Sequence, residues 1–477
     1  MAYDFGQKRN GAGSNQKRNG AGSNQERNGG MYTKTILGQS IGDNPVPIWT
    51  ADRSRKPFVA FQDPKTQKLF GLNRDMLAYG LLALGAPGTG KTNFFNMTLD
   101  RMLATMQEGE VLIIFDTKGD YLETFGSRIP DSMKVVVGNG EEYRRITSYH
   151  NIFAEVMPRG DDGRLVYTPE SDEDALEICE QLFQFMQSET QPIFPAMAEQ
   201  VVAAVMIYFM RTYWSSDQSK LNNKELINFF THSTNEDLKK ILSLDYMADQ
   251  RSCIDYISGK GNQTQGVNSY VGSMLKKMFV GPFAQADPSR EFSMRDIVCS
   301  GKSKVVFIEY DMRKGRLLAP MYGILIDRTL ANSLGGRQKT KTNKFFLLDE
   351  MLLLPKLEHL SDSLNFGRSL GVRMMCGLQN ICGLEEQYGE SGAKNILSSF
   401  QNIVAFRSGD YDTRQFVTTR LGENYQNISL SAQQANLNIQ REGHTVEDWN
   451  LLKLKNGEAV VSLVGEDPFM FTMPLYG

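Results

Sequence analysis

One stretch of this 477-residue sequence constrains the fold more than any other. It begins with the apolar run Leu81–Leu84, continues with the pattern G-x-x-x-x-G-K-T at Gly85–Thr92, and ends in the helix-like Asn93–Leu99. A buried strand, a glycine-rich turn and a helix, in that order, are the context in which this pattern cradles phosphate. Glycines allow backbone angles that other residues avoid, and the helix adds its positive amino-terminal end. The stretch therefore predicts a binding loop for a nucleoside triphosphate.

This loop supplies candidate contacts for ATP and for Mg²⁺. Lys91 would reach the β- and γ-phosphates, and the Thr92 hydroxyl would ligate the metal ion. A glycine turn without a ligand is the alternative, and the complete strand, loop and helix disfavour it. We expect nucleotide contacts from nine consecutive residues, which are Gly85, Ala86, Pro87, Gly88, Thr89, Gly90, Lys91, Thr92 and Asn93.

The composition is that of a globular protein without a strong overall charge. The formal net charge is -3, so any surface for nucleic acid must be local. The five cysteines lack C-x-x-C spacing and the four histidines are scattered, which argues against a disulfide framework and a zinc site. No apolar run is long enough to span a bilayer, and the amino terminus lacks a signal-peptide core. These features predict a cytoplasmic protein.

Changes in composition divide the chain into five predicted regions. Residues 1–30 are rich in Gly, Asn, Ser, Gln, Lys and Arg and contain a tandem repeat, which predicts a flexible arm. Short β-prone pieces follow at Thr35–Leu37, Val46–Trp49 and Phe58–Phe61. The predicted regions are an arm at 1–30, a strand-rich lead-in at 31–72, a first part of a P-loop ATPase domain at 73–170, an inserted all-α domain at 171–299, and a second part of the ATPase domain at 300–477.

Apolar runs that end in polar residues or glycine recur after the phosphate loop. They are Val111–Phe115, Lys134–Val137, Lys304–Ile308, Phe345–Leu348, Arg373–Leu378, Ile403–Phe406 and Ala459–Val464. Short runs of this kind, separated by helix-length segments, indicate an α/β fold with a mostly parallel sheet covered on both faces. Ligand-binding groups in such sheets collect at the carboxyl ends of the strands. Amphipathic segments replace the β pattern between about 171 and 296, which predicts the inserted helices.

Two carboxylates follow one of these apolar runs. Asp349 and Glu350 come directly after Phe345–Leu348. In a P-loop hydrolase Asp349 would hold Mg²⁺ and Glu350 would polarise the attacking water. Taken alone, the pattern often marks only the end of a strand, but together with Gly85–Thr92 it favours ATP hydrolysis. The sequence has no Asn-Lys-x-Asp motif for guanine selection, which disfavours a GTPase.

Two further polar residues are candidates for the reaction. Gln379 follows the run Arg373–Leu378, where a neutral amide could hydrogen-bond both the attacking water and the γ-phosphate. A glutamine at a solvated strand end is the alternative. Arg368 precedes the same run and could stabilise transition-state charge on a neighbouring subunit's nucleotide. The bare sequence favours an ordinary surface arginine at this position.

The ordered set of motifs resembles the conjugative coupling proteins of type IV secretion systems. These TraG/TraD-like ATPases belong to the FtsK/HerA branch of ring-forming P-loop translocases. The similarity extends from about Leu69 to the end of the chain. The motifs that carry it are the phosphate loop, Val111–Asp120, Phe292–Ile297, Leu347–Glu350, Gly367–Val372, Leu378–Asn380, Tyr388-Gly389 and Gly457–Val460.

The resemblance implies a RecA-like ATPase sheet with an inserted all-α domain, assembled as a homo-hexamer. It implies that the strand before Gln379 lies between the phosphate-loop strand and the strand before Asp349. It also implies that Arg368 completes the ATP site of the adjacent subunit, which reverses the preference from the bare sequence. The chain departs from the family where a soluble arm replaces the usual amino-terminal transmembrane helices. Asp116–Asp120 has Thr and Asp where the family usually has Pro and Glu.

The function that the resemblance implies is an ATP-driven motor. It would pump DNA, single-stranded and with an attached relaxase, to a type IV secretion channel or a membrane-anchored partner. Such a protein would be cytoplasmic or peripheral at the inner face of the cytoplasmic membrane. Two other functions stay open, an ATP-dependent receptor for protein cargo and a soluble HerA-like motor in DNA processing or defence. Several cations are candidates for lining a DNA channel or its rim, although for each of them a place on an ordinary solvated surface is the favoured interpretation. They are Arg337, Lys339, Lys341, Lys344, Lys276 and Lys277.

Overall fold

A computed structural model describes residues 31–42, 59–186, 192–259, 261–313, 315–335, 342–432 and 435–477 of the chain. The arm predicted at 1–30, the strand predicted at Val46–Trp49 and the cations Arg337, Lys339 and Lys341 lie outside the described residues.

The strands in chain order are β1 Met31–Gly38, β2 Val59–Gln62, β3 Leu69–Leu72, β4 Leu81–Leu84, β5 Val111–Asp116, β6 Lys134–Val137, β7 Tyr149–His150, β8 Glu291–Phe292, β9 Lys304–Glu309, β10 Lys344–Leu348, β11 Val372–Leu378, β12 Asn402–Phe406, β13 Glu423–Ala432, β14 Ala435–His444, β15 Glu458–Ser462 and β16 Phe469–Thr472.

The α-helices are α1 Arg74–Leu77, α2 Lys91–Ala104, α3 Asp120–Phe125, α4 Ile152–Val156, α5 Pro169–Gln184, α6 Ile193–Tyr213, α7 Asn223–His232, α8 Asn235–Leu242, α9 Cys253–Ile257, α10 Asn262–Met278, α11 Met294–Cys299, α12 Gly315–Leu334, α13 Leu360–Phe366, α14 Cys382–Ser399, α15 Tyr411–Leu421 and α16 Asp448–Lys453.

A nine-stranded sheet with the order β16-β15-β12-β4-β11-β10-β5-β9-β6 organises the chain. Neighbouring strands from β12 to β6 pair in parallel, whereas β15 and β16 add antiparallel strands at one side. The prediction of an α/β fold with a mostly parallel sheet is confirmed. The strand β11 lies between β4 and β10, as the resemblance implied. Parallel pairing therefore brings the phosphate loop, Asp349 and Gln379 to one carboxyl edge of the sheet.

Both faces of this sheet are buried. Along β5, Leu112 and Ile114 belong to one apolar core, and Ile113 and Phe115 belong to the other. Every residue of β5 is buried, which explains why its sequence is a continuous apolar run rather than an alternating one. The helix α2 packs on one face, where the ring of Phe94 stacks on Phe61 of β2 at 5.2 Å between centroids.

Among the described residues, eight α-helices, α4 to α11, lie in the chain between β7 and β9. The short strands β7 and β8 pair in parallel at the base of this region and join its two ends. A buried carboxylate strengthens that junction, because Glu155 accepts hydrogen bonds from the backbone of Met294 at 2.6 Å and of Arg295 at 3.1 Å. The helices α5 to α11 run from Pro169 to Cys299, close to the region 171–299 predicted as all-α, although the division into domains stays a prediction.

The helix α6 is long and apolar enough to cross a membrane by length and composition, and it alone passes that test among the described residues. It packs against α5 and α10, and 61% of its most apolar window is buried inside the protein. That burial is typical of the central helix of a helical core.

A second sheet was not anticipated from the sequence. The strands β13 and β14 form an antiparallel hairpin, and β1 pairs with β13 to make three strands. The hairpin sequence is rich in Asn, Gln and Ser and lacks the apolar runs that reveal strands of the main sheet. The third strand, β1, joins this hairpin by pairing with β13, from which it is about 400 residues distant in the chain.

Candidate functional site

The loop Gly85–Gly90 leads from β4 into α2 and packs closely against β12. A Cβ atom on Gly85, whose φ is +152°, would lie 2.8 Å from the Cβ of Phe406. Gly88 behaves differently, because a Cβ built there would meet nothing within 4 Å. One side of the loop is thus pressed on the sheet while the other stays open, which is the arrangement that a ligand cradle requires.

Two segments from the second half of the chain hold the loop. The backbone N–H of Ala86 donates to the carbonyl of Arg407 at 2.9 Å, and Gly457 N–H donates to the carbonyl of Thr89 at 2.9 Å. Inside the loop, the Thr89 hydroxyl donates to the carbonyl of Ala86 at 2.7 Å. The local sequence around Arg407 predicts no role for it, and Gly457 stands out in the sequence only as part of a resembling motif.

Lys91 is buried at the start of α2, with 7% of its surface exposed. Its ammonium donates to the carbonyl of Gly85, and it lies 3.4 Å from the carbonyl of Ala86. Burial lowers the pKa of Lys91, and the nearby carboxylates of Glu350 and Asp349 oppose that shift. The cation therefore lies at the loop, beside the two acids that end β10.

Thr92 and Asp349 are in direct contact. The Thr92 hydroxyl donates to Oδ2 of Asp349 at 3.1 Å, and the carboxyl is 6% exposed. Burial raises the pKa of Asp349. A hydroxyl and a carboxylate side by side are the hard oxygen ligands that Mg²⁺ prefers, so these residues fit the predicted metal site.

Glu350 and Gln379 are also paired. The side-chain amide of Gln379 donates to Oε2 of Glu350 at 2.5 Å, across the carboxyl ends of β10 and β11. Burial raises the pKa of Glu350, while the amide and the Lys91 ammonium act in the opposite direction. A carboxylate with a raised pKa, next to an amide and a lysine, can take a proton from water.

Two predicted site residues lie apart from this group. Asn93 bonds the carboxyl-terminal tail, because its amide donates to the carbonyl of Pro474 at 2.8 Å and accepts from Tyr476 N–H at 2.8 Å. Arg368 is exposed near the opposite, amino edge of the sheet, where its guanidinium lies 3.8 Å from the ring centroid of Tyr79. Within one chain, Arg368 therefore does not join Lys91.

Acidic residues extend the site along the carboxyl edge. Asp116, at the end of β5, accepts backbone N–H bonds from residues 118, 119, 121 and 122 and so orders the following loop. Glu309, opposite it at the end of β9, has a pKa raised to about 8 by burial and by the charge of Asp116. The run Asp116–Asp120 was visible in the sequence as a resembling motif, but it carried no assigned role.

The prediction of Lys344 as a cation of a channel or rim is wrong. It begins β10 and is completely buried, and burial lowers the pKa of its ammonium to about 8. Lys276 and Lys277 are exposed in the last turn of α10, so their part in DNA binding stays a prediction.

Comparison with known proteins places this geometry in a family. The profile of the family described as "Type IV secretion-system coupling protein DNA-binding domain" matches residues 72–450. Protein VirD4 of Rhizobium rhizogenes is 26% identical over 221 residues, which are 44% of this chain and 32% of that protein. This chain thus matches about a third of the length of that curated relative.

Solved structures of the plasmid coupling protein TrwB share the fold. The complex with the ATP analogue ADPNP has a TM-score of 0.68 and 18% identity, with 96% of each chain covered. The complex with ADP and Mg²⁺ has a TM-score of 0.63 and 17% identity, with 85% of this chain and 87% of that chain covered. The family profile covers well over half of the sequence. The chain therefore belongs to the family of type IV secretion-system coupling protein DNA-binding domains.

Proposed function

We propose that this chain is an ATP-hydrolysing coupling protein that moves DNA toward a type IV secretion channel. The observation that carries the proposal is the meeting of three elements at one sheet edge: Lys91 in its loop, the Thr92–Asp349 contact and the Glu350–Gln379 pair. Membership of the coupling-protein family supports the substrate and the partner. TrwB, which has the same fold, has been solved with an ATP analogue and with ADP and Mg²⁺.

The proposed roles follow from the chemistry of each group. The loop N–H groups and the Lys91 ammonium bind the phosphates, with the open side at Gly88 facing the ligand. Thr92 and Asp349 would hold Mg²⁺, which when bound neutralises phosphate charge. Glu350 accepts the proton of the attacking water, and Gln379 orients that water by hydrogen bonding.

The position of Arg368 supports an oligomer. Arg368 precedes β11 and Gln379 follows it, and the seven residues of this strand span roughly 23 Å at the rise of an extended strand. An arginine at the amino edge can therefore serve a phosphate only at the carboxyl edge of another copy. Contacts between different edges of identical chains are heterologous, and they form a ring where the rotation from one copy to the next closes. We propose a homo-hexamer in which Arg368 stabilises transition-state charge in trans.

The experiment is the rate of ATP hydrolysis and the mass of the oligomer, with and without single-stranded DNA, over a range of salt concentrations. We expect DNA to stimulate hydrolysis and its affinity to fall steeply with salt. Lys91→Ala should abolish nucleotide binding. Glu350→Gln should retain binding but lose hydrolysis.

Other outcomes would favour the competing functions. A protein that hydrolyses ATP at the same rate with and without DNA, and binds no DNA, would be a receptor for protein cargo. A DNA-stimulated ATPase with no membrane-anchored partner in a pull-down would be a HerA-like motor. Recovery of such a partner supports the proposed location at the inner face of the cytoplasmic membrane.

A further inference from the structure

The surroundings of Arg368 form a built site at the amino edge of the sheet. A depression of about 480 Å³ is lined by two cations and one carboxylate together with neutral residues; the full lining is Arg368, Arg373, Asp75, Asn365, Ser369, Ala78 and Phe366. We propose that Arg373 and Tyr79 are positioning residues that hold Arg368 ready for a phosphate carried by a second copy of this chain. The inference rests on the proposed function and goes beyond it, because it assigns roles to two residues outside the nucleotide motifs.

Arg373 fixes the turn that carries Arg368. Its Nη1 donates to the carbonyl of Arg368 at 3.0 Å and to the carbonyl of Val372 at 2.9 Å. The side chain is 9% exposed, and its Nε has no hydrogen-bond partner among the described residues. A buried guanidinium with an unused donor is costly to the fold. A polar ligand that enters the depression would satisfy that donor, so the residue suits a site for an anion.

Tyr79 fixes the guanidinium itself. The centre of the Arg368 guanidinium lies 3.8 Å from the Tyr79 ring centroid, within the range of a cation–π contact. The backbone of Tyr79 is held by its own bond to the carbonyl of Met76 at 3.0 Å and by Gln401 N–H, which donates to it at 2.9 Å. The backbone of Tyr79 is therefore fixed, and the face of its ring limits where the flexible arginine can lie.

Tyr79 also connects two nucleotide sites. Tyr79 lies two residues before β4, and β4 runs straight into the phosphate loop of the same chain. Arg368, which would serve the adjacent copy, therefore contacts a residue just before the strand that leads into its own chain's nucleotide loop. The anion that Arg368 would receive is the γ-phosphate of a nucleoside triphosphate, since a guanidinium favours multiply charged phosphate oxygens.

The experiment uses the full chain and measures ATP hydrolysis, nucleotide affinity and melting temperature. We expect Arg373→Met and Tyr79→Ala each to reduce kcat at least tenfold with unchanged ATP affinity. Tyr79→Phe, which keeps the ring, should restore most of the rate. Tyr149→Ala removes a similar stacking contact with Arg290, 4.9 Å away, and should leave kcat within twofold.

Action through Arg368 has a distinctive signature. The double variant Arg368→Ala/Arg373→Met should hydrolyse ATP no more slowly than Arg368→Ala alone. Both changes remove the same contribution, which is that of the Arg368 guanidinium to catalysis. Multiplied losses in the double variant would overturn the proposal and leave Arg373 a structural residue. If Arg373→Met fails to fold, Arg373→Lys and the Tyr79 variants give the same comparison.

Experiments in which two variants are mixed distinguish a failure of this inference from a failure of the proposed function. Lys91→Ala mixed with Arg368→Ala should recover activity, since some interfaces then combine an intact loop with an intact arginine. Lys91→Ala mixed with Arg373→Met should recover it to the same extent. Recovery in the first mixture alone would overturn the roles of Arg373 and Tyr79. Recovery in neither mixture would refute the action of Arg368 in trans, and the inference with it.

Discussion

A Cβ atom added to Gly377 would lie 2.0 Å from the carbonyl oxygen of Asp349. Gly377 is the penultimate residue of β11, and Asp349 directly follows β10 on the neighbouring strand. The missing side chain lets the backbone after β10 cross closely over β11. That crossing directs Asp349 toward Thr92 and Glu350 toward Gln379.

The first prediction concerns this close approach. Gly377→Ala should displace the Asp349 backbone, weaken Mg²⁺-dependent nucleotide binding and destabilise the fold by about 1–3 kcal/mol through overpacking. Titration of a fluorescent nucleotide with and without Mg²⁺, together with thermal unfolding, measures both effects. Gly272→Ala is the matched control, because a Cβ at that helical position meets nothing within 4 Å. Normal Mg²⁺-dependent binding by Gly377→Ala would contradict the argument.

The second prediction concerns the Glu350–Gln379 pair. Gln379→Leu keeps the size of the side chain but removes the amide that bonds Glu350 at 2.5 Å. We expect kcat for ATP to fall roughly 10²-fold, the loss typical of one oriented donor, with little change in nucleotide affinity. Gln184→Leu is the control, because the Gln184 amide donates a similar hydrogen bond of 2.7 Å to the Glu358 carboxylate but lies outside the site. A wild-type rate for Gln379→Leu would remove the residue from the reaction.

The third prediction is a pH dependence of stability. His359 donates from its backbone and pairs through Nδ1 with the Asp327 carboxylate, both at 2.8 Å. The hydrogen bond to Asp327 raises the pKa of His359 above its usual value, against an opposing effect of burial. The stabilisation is therefore fully present below the unfolded pKa, near 6.5, and is lost as pH rises through the folded pKa.

Thermal unfolding across pH 5–9 tests this sign. The difference in stability between the wild type and His359→Gln should be about 1 kcal/mol at the acidic end and should shrink as pH rises. Asp327→Asn should flatten the same pH profile. A difference that grows with pH would show that the pair is not ionic.

The fourth prediction concerns a buried amide on β12 that bonds three residues outside its own strand. The Asn402 side chain donates to the carbonyls of Met76 at 2.7 Å and Gly80 at 2.8 Å, and it accepts from Val464 N–H at 3.1 Å. Asn402→Leu should destabilise the protein by about 2 kcal/mol, because two buried carbonyls and the N–H of Val464 lose a hydrogen-bond partner. Urea unfolding measures the loss. The exposed Asn268→Leu is the control, with an expected change within about 0.5 kcal/mol.

Much of the site could be predicted because its signals are local. The residues Leu81–Leu99 combine a strand, a glycine-rich turn and a helix within one short stretch, and Asp349 and Glu350 directly follow an apolar run. Parallel strands carry their polar ends to the same edge, so the pairing of Thr92 with Asp349 follows from the fold class.

Other features depend on contacts between residues that are distant in the chain. Lys344 ends a polar stretch of the sequence and therefore looks like the end of an exposed loop. It is nevertheless the first residue of β10, which lies in the middle of the sheet, and it is buried there. Asn93 sits in the nucleotide motif, but its side chain bonds the carboxyl-terminal tail about 380 residues later. Nothing in the local pattern of either residue encodes those neighbours.

The sequence by itself determined the α/β class, the nucleotide loop and the carboxylates at the end of β10, because short-range periodicity and backbone preference specify them. Only the tertiary structure decided that Arg407 and Gly457 brace the loop, and that Tyr79 and Arg373 surround Arg368. The physical reason is that hydrogen bonding and packing across the sheet join segments that share no local signal. The sheet order, rather than any motif, puts Arg368 at the edge opposite Lys91.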